Sequence, residues 1–416
     1  MNLLSLSMDS YLRKDKEMSL ANGRSILAIP GPSVIPDRVL NAMHTAAPNI
    51  YVGSLLDTTD SLVPDLKKIA KTDGYVAMYI GNGHAAWEAS LANVLALGDN
   101  ILVLATGRFG HSWAEMAKQR GLEVELVDFG HRSVVQGETV EQILNEDKKK
   151  KIKAVLVVQV DTATSAKTDI LGIRQLINKC NHPALLMVDS IACLGCDEMH
   201  MDRWGVDVMV AGCQKGLMVP PGMSFVFFNE KAMDRRKSLK LVSSYWDWIP
   251  RAQPGHFYEY FCGTAPTHHL LGLREALTMI LHEEGLDSVW KRHKILASSI
   301  WSALDRWGSE GSLELNIKEP KNRSHAVTAI RIDPSHGTKL RNWLTDNTGV
   351  TLGIGIGMAD PNDPAWHGFF RIGHMGHLNA HMVLGTLGSI DAGLKSLKIP
   401  HGDGALEAAS LICADS

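Results

Sequence analysis

The stretch "DVMVAGCQKGLMVPPG", Asp207 to Gly222, decides the fold. An apolar run ends in Gly212-Cys213-Gln214-Lys215-Gly216, and a Pro-Pro-Gly turn follows. The run reads as a strand buried on both faces, so Lys215 falls in a tight turn at its carboxyl end. A lone lysine is most often a surface cation. Beside apolar walls its ammonium loses hydration, the neutral amine is favoured, and it becomes a nucleophile.

Working outward, the same pattern repeats. "YVAMYI" (75–80), "NILVLAT" (100–106), "EVELVDF" (123–129), "AVLVVQV" (154–160), "ALLMVD" (184–189) and "SFVFFN" (224–229) are further strand-like runs. Helical patterns such as "AAWEASLANVLAL", "GHSWAEMAKQRG" and "DILGIRQLINKC" separate several of them. Together with the run before Lys215 they predict an α/β fold on a mostly parallel seven-stranded sheet. From about Leu286 the pattern changes. A long amphipathic helix, "GLDSVWKRHKILASSIWSALDRWG", precedes strand-like "HAVTAIRI" and "GFFRIGHM", which flank helical "GTKLRNWLTDN". The expected organisation is an arm at 1–27, a large domain at 28–285, a smaller α+β domain at 286–400 and a tail at 401–416.

Ligands of open α/β sheets bind beyond the carboxyl ends of the strands. Five such ends carry polar or unusual residues. Gly81-Asn82-Gly83-His84 opens a helix and forms an anion cup, since helix N-termini offer free N–H groups. Phe109 sits in a Gly-bounded turn, placed to cover a planar ring. Asp161, Thr162 and Thr164 follow another strand. Asp189 ends the run "ALLMV" and needs a cationic or N–H partner there. Lys215 is the fifth. Each has a plainer reading: helix cap, loop aromatic, turn initiator or surface charge. As a set, a phosphate cup, a ring cover, a carboxylate for a ring nitrogen and a lysine nucleophile are what pyridoxal 5′-phosphate requires. The motifs G-x-S-x-G, H-E-x-x-H and G-x-x-x-x-G-K-[ST] are absent from the sequence.

Bulk composition excludes other classes. The chain has 416 residues, 45% of them hydrophobic and 21% charged, with a net charge of −3. That balance carries no electrostatic footprint for nucleic acid or an anionic membrane. The run "NEDKKKKIK" (145–153) reads as a solvated helix end. No apolar run approaches a membrane span, and no export signal is read at the N-terminus. Six cysteines do not form a disulfide scaffold, and Cys193-x-x-Cys196 reads as two packing cysteines. A reducing cytoplasm is the expected compartment, and no metal is expected.

The segments "IPGPSVIP", "GNGHAAWEA", "VDSIACLG", "GCQKGLMVPPG" and "RIGHMG", in this order, resemble the class V aminotransferases. The nearest group is the alanine/serine/aspartate–glyoxylate aminotransferases, and pyridoxamine–pyruvate aminotransferase is also similar. The resemblance runs from about Ile29 to the end of the last helix. It implies the fold type I of pyridoxal-phosphate enzymes and a homodimer with shared active sites. Lys215 would form the Schiff base and Asp189 would pair with the pyridine nitrogen. Asn82, Gly83 and His84 would bind the phosphate and its surroundings, with Phe109 over the ring. Thr162 and Gln214 would lie near the cofactor, and Thr264 would reach the phosphate from the other subunit. Arg371 in "FFRIGHMG" would clamp the substrate α-carboxylate.

Two departures stand out. Phe261 falls where many relatives place a phosphate-binding tyrosine, with Tyr260 a candidate replacement. Ser165 falls where the family commonly has glycine. The implied activity is ping-pong transfer of an amino group from alanine, serine or aspartate to glyoxylate or a similar 2-oxo acid. Alternatives are pyridoxamine–pyruvate transfer, another class V lyase or hydrolase reaction, or an inactive binding protein of the same fold. "YWDWIP" and "NIYVGSLL" are expected at the side-chain pocket.

Overall fold

The computed structural model describes residues 19–415. Residues 1–18 of the expected N-terminal arm therefore lie outside the described part. Twelve strands occur there. They are β1 (Ile26–Ala28), β2 (Tyr75–Gly81), β3 (Asn100–Ala105), β4 (Glu123–Asp128), β5 (Ile152–Val158) and β6 (Leu185–Asp189). The rest are β7 (Val208–Gly212), β8 (Gly222–Phe228), β9 (Glu314–Leu315), β10 (Val327–Arg331), β11 (Val350–Ile354) and β12 (Phe369–Gly373).

Strands β2 to β8 form one seven-stranded sheet in the order β2-β8-β7-β6-β5-β3-β4. Only β8 runs antiparallel, between β2 and β7. All seven strands expected from the sequence are present, and the mostly parallel sheet is observed. Both faces are covered. Val155 and Val157 of β5 enter one core, and Ala154, Leu156 and Val158 enter the other. This period of two, with apolar residues on both sides, is why β5 reads as a continuous hydrophobic run.

Caps set where the helices begin. Asn82 accepts from the N–H of His84 at the start of helix Gly83–Val94, and Asp169 accepts from Gly172 at the start of Ile170–Lys179. Each satisfies one of the N–H groups that a helix leaves unpaired at its first turn.

The second sheet has the order β1-β11-β12-β10-β9. Here the sequence reading missed β11, a short strand interrupted by Gly353, the two-residue β9, and β1, which pairs in parallel with β11. Strand β1 straddles the boundary expected between arm and large domain, so the first described strand belongs to the C-terminal sheet. The tail is likewise part of this unit. Helix Ala405–Ala414 buries Ala405 and Ala409, and Ser299 donates to the Ala409 carbonyl at 3.0 Å from the long helix Leu286–Trp307. Among the described residues no helix is long and apolar enough to cross a membrane.

Candidate active site

All five strand ends converge on one cavity of about 220 Å³. Its walls include Asn82, Gly83 and His84 after β2, Phe109 after β3, Thr162 after β5, Asp189 at the end of β6, and Gln214 and Lys215 after β7. Eight of the residues singled out in the sequence thus stand around one space, although they span more than a hundred positions of chain.

Lys215 is held by the segment that follows β1. Its Nζ donates to the carbonyl of Pro30, and its own carbonyl accepts from the Ser33 hydroxyl at 2.7 Å. Burial, with the Arg371 charge second, pushes the Lys215 amine down to about 8. Gly31 explains part of the "IPGPSVIP" motif. A Cβ at that position would stand 2.3 Å from Nζ, and its φ of +96° is one that side chains avoid. Pro30 and Gly31 were not among the expected site residues. The sequence signal was the motif itself, whose distance along the chain hid its contact with Lys215.

Asp189 is also buried, and burial raises its carboxyl to about 7. Oδ1 accepts from the Ile191 N–H at 2.7 Å and Oδ2 from the Trp87 indole N–H at 2.8 Å. Trp87 lines the cavity as well, and its ring lies 4.5 Å from that of His84 and 6.4 Å from that of Phe109. Sequence reading missed this residue because a helical tryptophan reads as core. Burial, then the Arg108 charge, lowers the pKa of His84.

Asp161, in the polar cluster after β5, has a supporting place. Its carboxylate accepts from the N–H groups of Phe109 and Gly110 and so holds the turn that carries Phe109. Burial raises its pKa. Ser165, where glycine was the expected residue, adopts φ +61°. The backbone thus keeps the left-handed geometry that glycine would serve.

Arg371 stands on β12, opposite Ala329 of β10 and Gly353 of β11. It is buried beside the cavity rather than in its wall. Nε donates to the Ile354 carbonyl and Nη1 to the Thr162 carbonyl, both at 2.7 Å. Burial lowers its pKa to about 10, while its charge is felt at Lys215.

Other expected residues lie apart. Thr264 is exposed on the loop after Phe261 and does not line the cavity within this chain. Phe261 is packed in the large core, and the Tyr260 hydroxyl donates to Asp60 at 2.9 Å instead of facing the cavity. "YWDWIP" is not a pocket wall in this chain. Trp248 stacks on Phe228 at 4.0 Å, and the Trp246 carbonyl accepts from the Tyr79 hydroxyl. In "NIYVGSLL", Tyr51 is 80% exposed and Val52 64%. Cys193 and Cys196 are free thiols buried in one apolar cluster, which matches the packing reading.

These residues fit pyridoxal 5′-phosphate. The cavity offers a helix N-terminus at Gly83, an aromatic wall, a buried carboxylate and a lysine amine with lowered proton affinity. The Gln214 side-chain oxygen is buried there without a hydrogen-bond partner among the described residues. An orphaned acceptor of this kind points to a donor from a bound group.

A family model described as aminotransferase class-V matches residues 80–377. The chain is 38% identical over 393 residues to the serine–glyoxylate aminotransferase of Hyphomicrobium methylovorum, covering 91% of this chain and 93% of that one. It is 32% identical over 379 residues to the L-aspartate–glyoxylate aminotransferase of Paracoccus denitrificans, covering 89% and 91%. Among solved structures, ureidoglycine–glyoxylate aminotransferase from Bacillus subtilis aligns with a TM-score of 0.83 at 26% identity, over 94% of this chain and 99% of that one.

Proposed function

The chain belongs to the class-V aminotransferases, and from that premise we propose that it moves the amino group of a small amino acid to glyoxylate. Serine, aspartate and alanine are the candidate donors, since relatives named for transfer from each of them to glyoxylate align over most of the chain. The observation that carries the reading is the shared cavity of Lys215 and Asp189, with Arg371 at its side.

Asn82, Gly83 and His84 would hold the cofactor's phosphate, Phe109 and Trp87 its ring face, and Asp189 its ring nitrogen. Thr162 and Gln214 would line its edge. When bound, pyridoxal 5′-phosphate supplies an aldehyde that takes up the amino group and a ring that accepts electrons from the α-carbon. Arg371 binds the α-carboxylate of donor and acceptor through its planar guanidinium. The Lys215 amine, with proton affinity lowered to about 8, takes the proton from the donor α-carbon and returns it on the acceptor side. Burial around Lys215 and Asp189 excludes water from that transfer.

The same proposal includes a cytoplasmic homodimer. Exposed Tyr51, Val52 and Thr264 support an interface that brings Thr264 to the partner's phosphate site. The large part, 28–285, carries the cofactor pocket, and the part from 286 to 400 brings Arg371.

The test is a donor screen with glyoxylate, read as glycine formed. Turnover with serine, alanine or aspartate is expected. Absence of glycine with every amino donor, in protein carrying bound cofactor, would overturn the reading.

A further inference from the structure

Buried indole N–H groups are not always paired in this fold. Those of Trp113, Trp248 and Trp290 are buried with no hydrogen-bond partner among the described residues. Trp87 differs. Its N–H is spent on Oδ2 of Asp189, 102 residues away, at 2.8 Å. Burial alone does not force this pairing, because the fold leaves three other indoles without one.

The ring of Trp87 is fixed from several sides. It stacks on Trp113 at 5.9 Å with 14° between planes, and His84 and Phe109 meet it from the cavity. The indole N–H is therefore aimed, not free to turn away. The other oxygen of Asp189 is taken by the Ile191 peptide N–H. Each donor makes the carboxylate a weaker base.

We propose that Trp87 is a positioning residue that acts through Asp189: its indole N–H fixes the carboxylate and keeps the proton shared with the cofactor's ring nitrogen on the ring. The proposal rests on the reading of Asp189 as the ring-nitrogen partner. The charged and titratable groups around that carboxylate are Lys215, Asp161 and the Cys193 thiol, with His84 against the indole. Of these, Lys215 favours the ionised carboxylate and Asp161 opposes it. Without the indole donor the carboxylate becomes the stronger base, draws the proton from the ring and loses its fixed orientation.

The test uses full-length protein loaded with pyridoxal 5′-phosphate carrying ¹⁵N in the ring. Trp87→Phe removes the N–H and keeps an aromatic ring. Replacement of Trp87 by benzothienylalanine keeps the bicyclic shape and removes only the donor, which covers the case of a poorly folding W87F. The expected result is a ¹⁵N resonance moved toward the unprotonated ring and a cofactor dissociation constant raised about tenfold, as for loss of one hydrogen bond to a charged group. In an Asp189→Asn background the same replacement should change neither reading further.

An unchanged resonance and affinity in both Trp87 variants would overturn the inference. So would an equal loss of affinity with and without Asp189, since that would make Trp87 a packing residue only. A resonance that Asp189→Asn itself leaves unmoved overturns the Asp189 reading, and the inference with it.

Discussion

Arg371 of β12 donates to the carbonyl of Thr162, just beyond β5, at 2.7 Å across 209 residues of sequence. One sheet thus places its guanidinium beside the cavity built by the other, bonded to the backbone of a residue that lines it.

Lys215→Ala should abolish turnover, with a loss of about 10³-fold or more, because it removes both the attachment point and the acid–base group. Borohydride reduction of cofactor-loaded wild-type protein should fix the cofactor on the peptide containing Lys215. Attachment at another lysine would refute the assignment.

Capture of the cofactor aldehyde by wild-type apoprotein should quicken with pH and level off above a midpoint near 8. Burial and Arg371 both disfavour the ammonium, so the reactive neutral amine is already half populated there. Trapping rates measured from pH 6 to 11 check this, and a midpoint near 10.5 would place Lys215 in ordinary solvent.

Arg371→Gln should cut kcat/KM for both amino donor and 2-oxo acid by roughly 10²-fold or more, as when one partner of a buried charge pair is truncated. It also removes a positive charge near Lys215. The midpoint for aldehyde capture should therefore move upward, toward the ordinary lysine value. Kinetics showing a loss confined to one substrate would contradict a clamp used in both half-reactions.

Asp189 makes apoprotein stability depend on pH. Its carboxyl is raised from 3.8 to about 7 by burial. The folded state therefore holds an extra proton between those values, and the stability tied to it is present at low pH and lost as pH rises toward 7. Cofactor-free Asp189→Asn should be more stable than wild type at pH 8, by a few kcal/mol at most given about 1.4 kcal/mol per pKa unit. At pH 4 that advantage should vanish. Thermal denaturation at both pH values decides it, and an equal difference at the two would tell against the raised carboxyl.

Ser165 holds φ +61° without being glycine. Ser165→Gly should raise stability by up to about 1 kcal/mol, because the left-handed conformation costs an L-residue about 1–2 kcal/mol. Ser165→Val should lower it, since β-branching sharpens the same clash. Melting temperatures of the pair measure the effect.

Much of this was legible from local pattern. The central strands β5, β6 and β7 of the large sheet are apolar on both faces, so each announced itself as an apolar run, and the edge strand β4 showed instead as an alternation of charged and apolar residues. Their carboxyl ends could be found by reading where each run met polar residues or glycine. Asn82, Asp189 and Lys215 stood out for that reason. Strands β1 and β11 did not, because one is three residues long and the other contains glycine where a packing side chain would signal a strand. That Phe261 packs in the core while the Tyr260 hydroxyl turns to Asp60 depends on packing that no local period carries.

The sequence by itself determined the class of sheet, the strand ends and the residue types able to do chemistry there, since burial and charge act on each segment separately. Only the tertiary structure decided that Pro30 and Gly31 meet the Lys215 side chain and that Trp87 spends its N–H on Asp189. It likewise decided that Arg371 reaches Thr162. These are contacts between segments far apart in the chain. Their existence follows from how two sheets and their helices pack, and their physical effect, the shifted proton affinities of Lys215 and Asp189, exists only once that packing has removed the water.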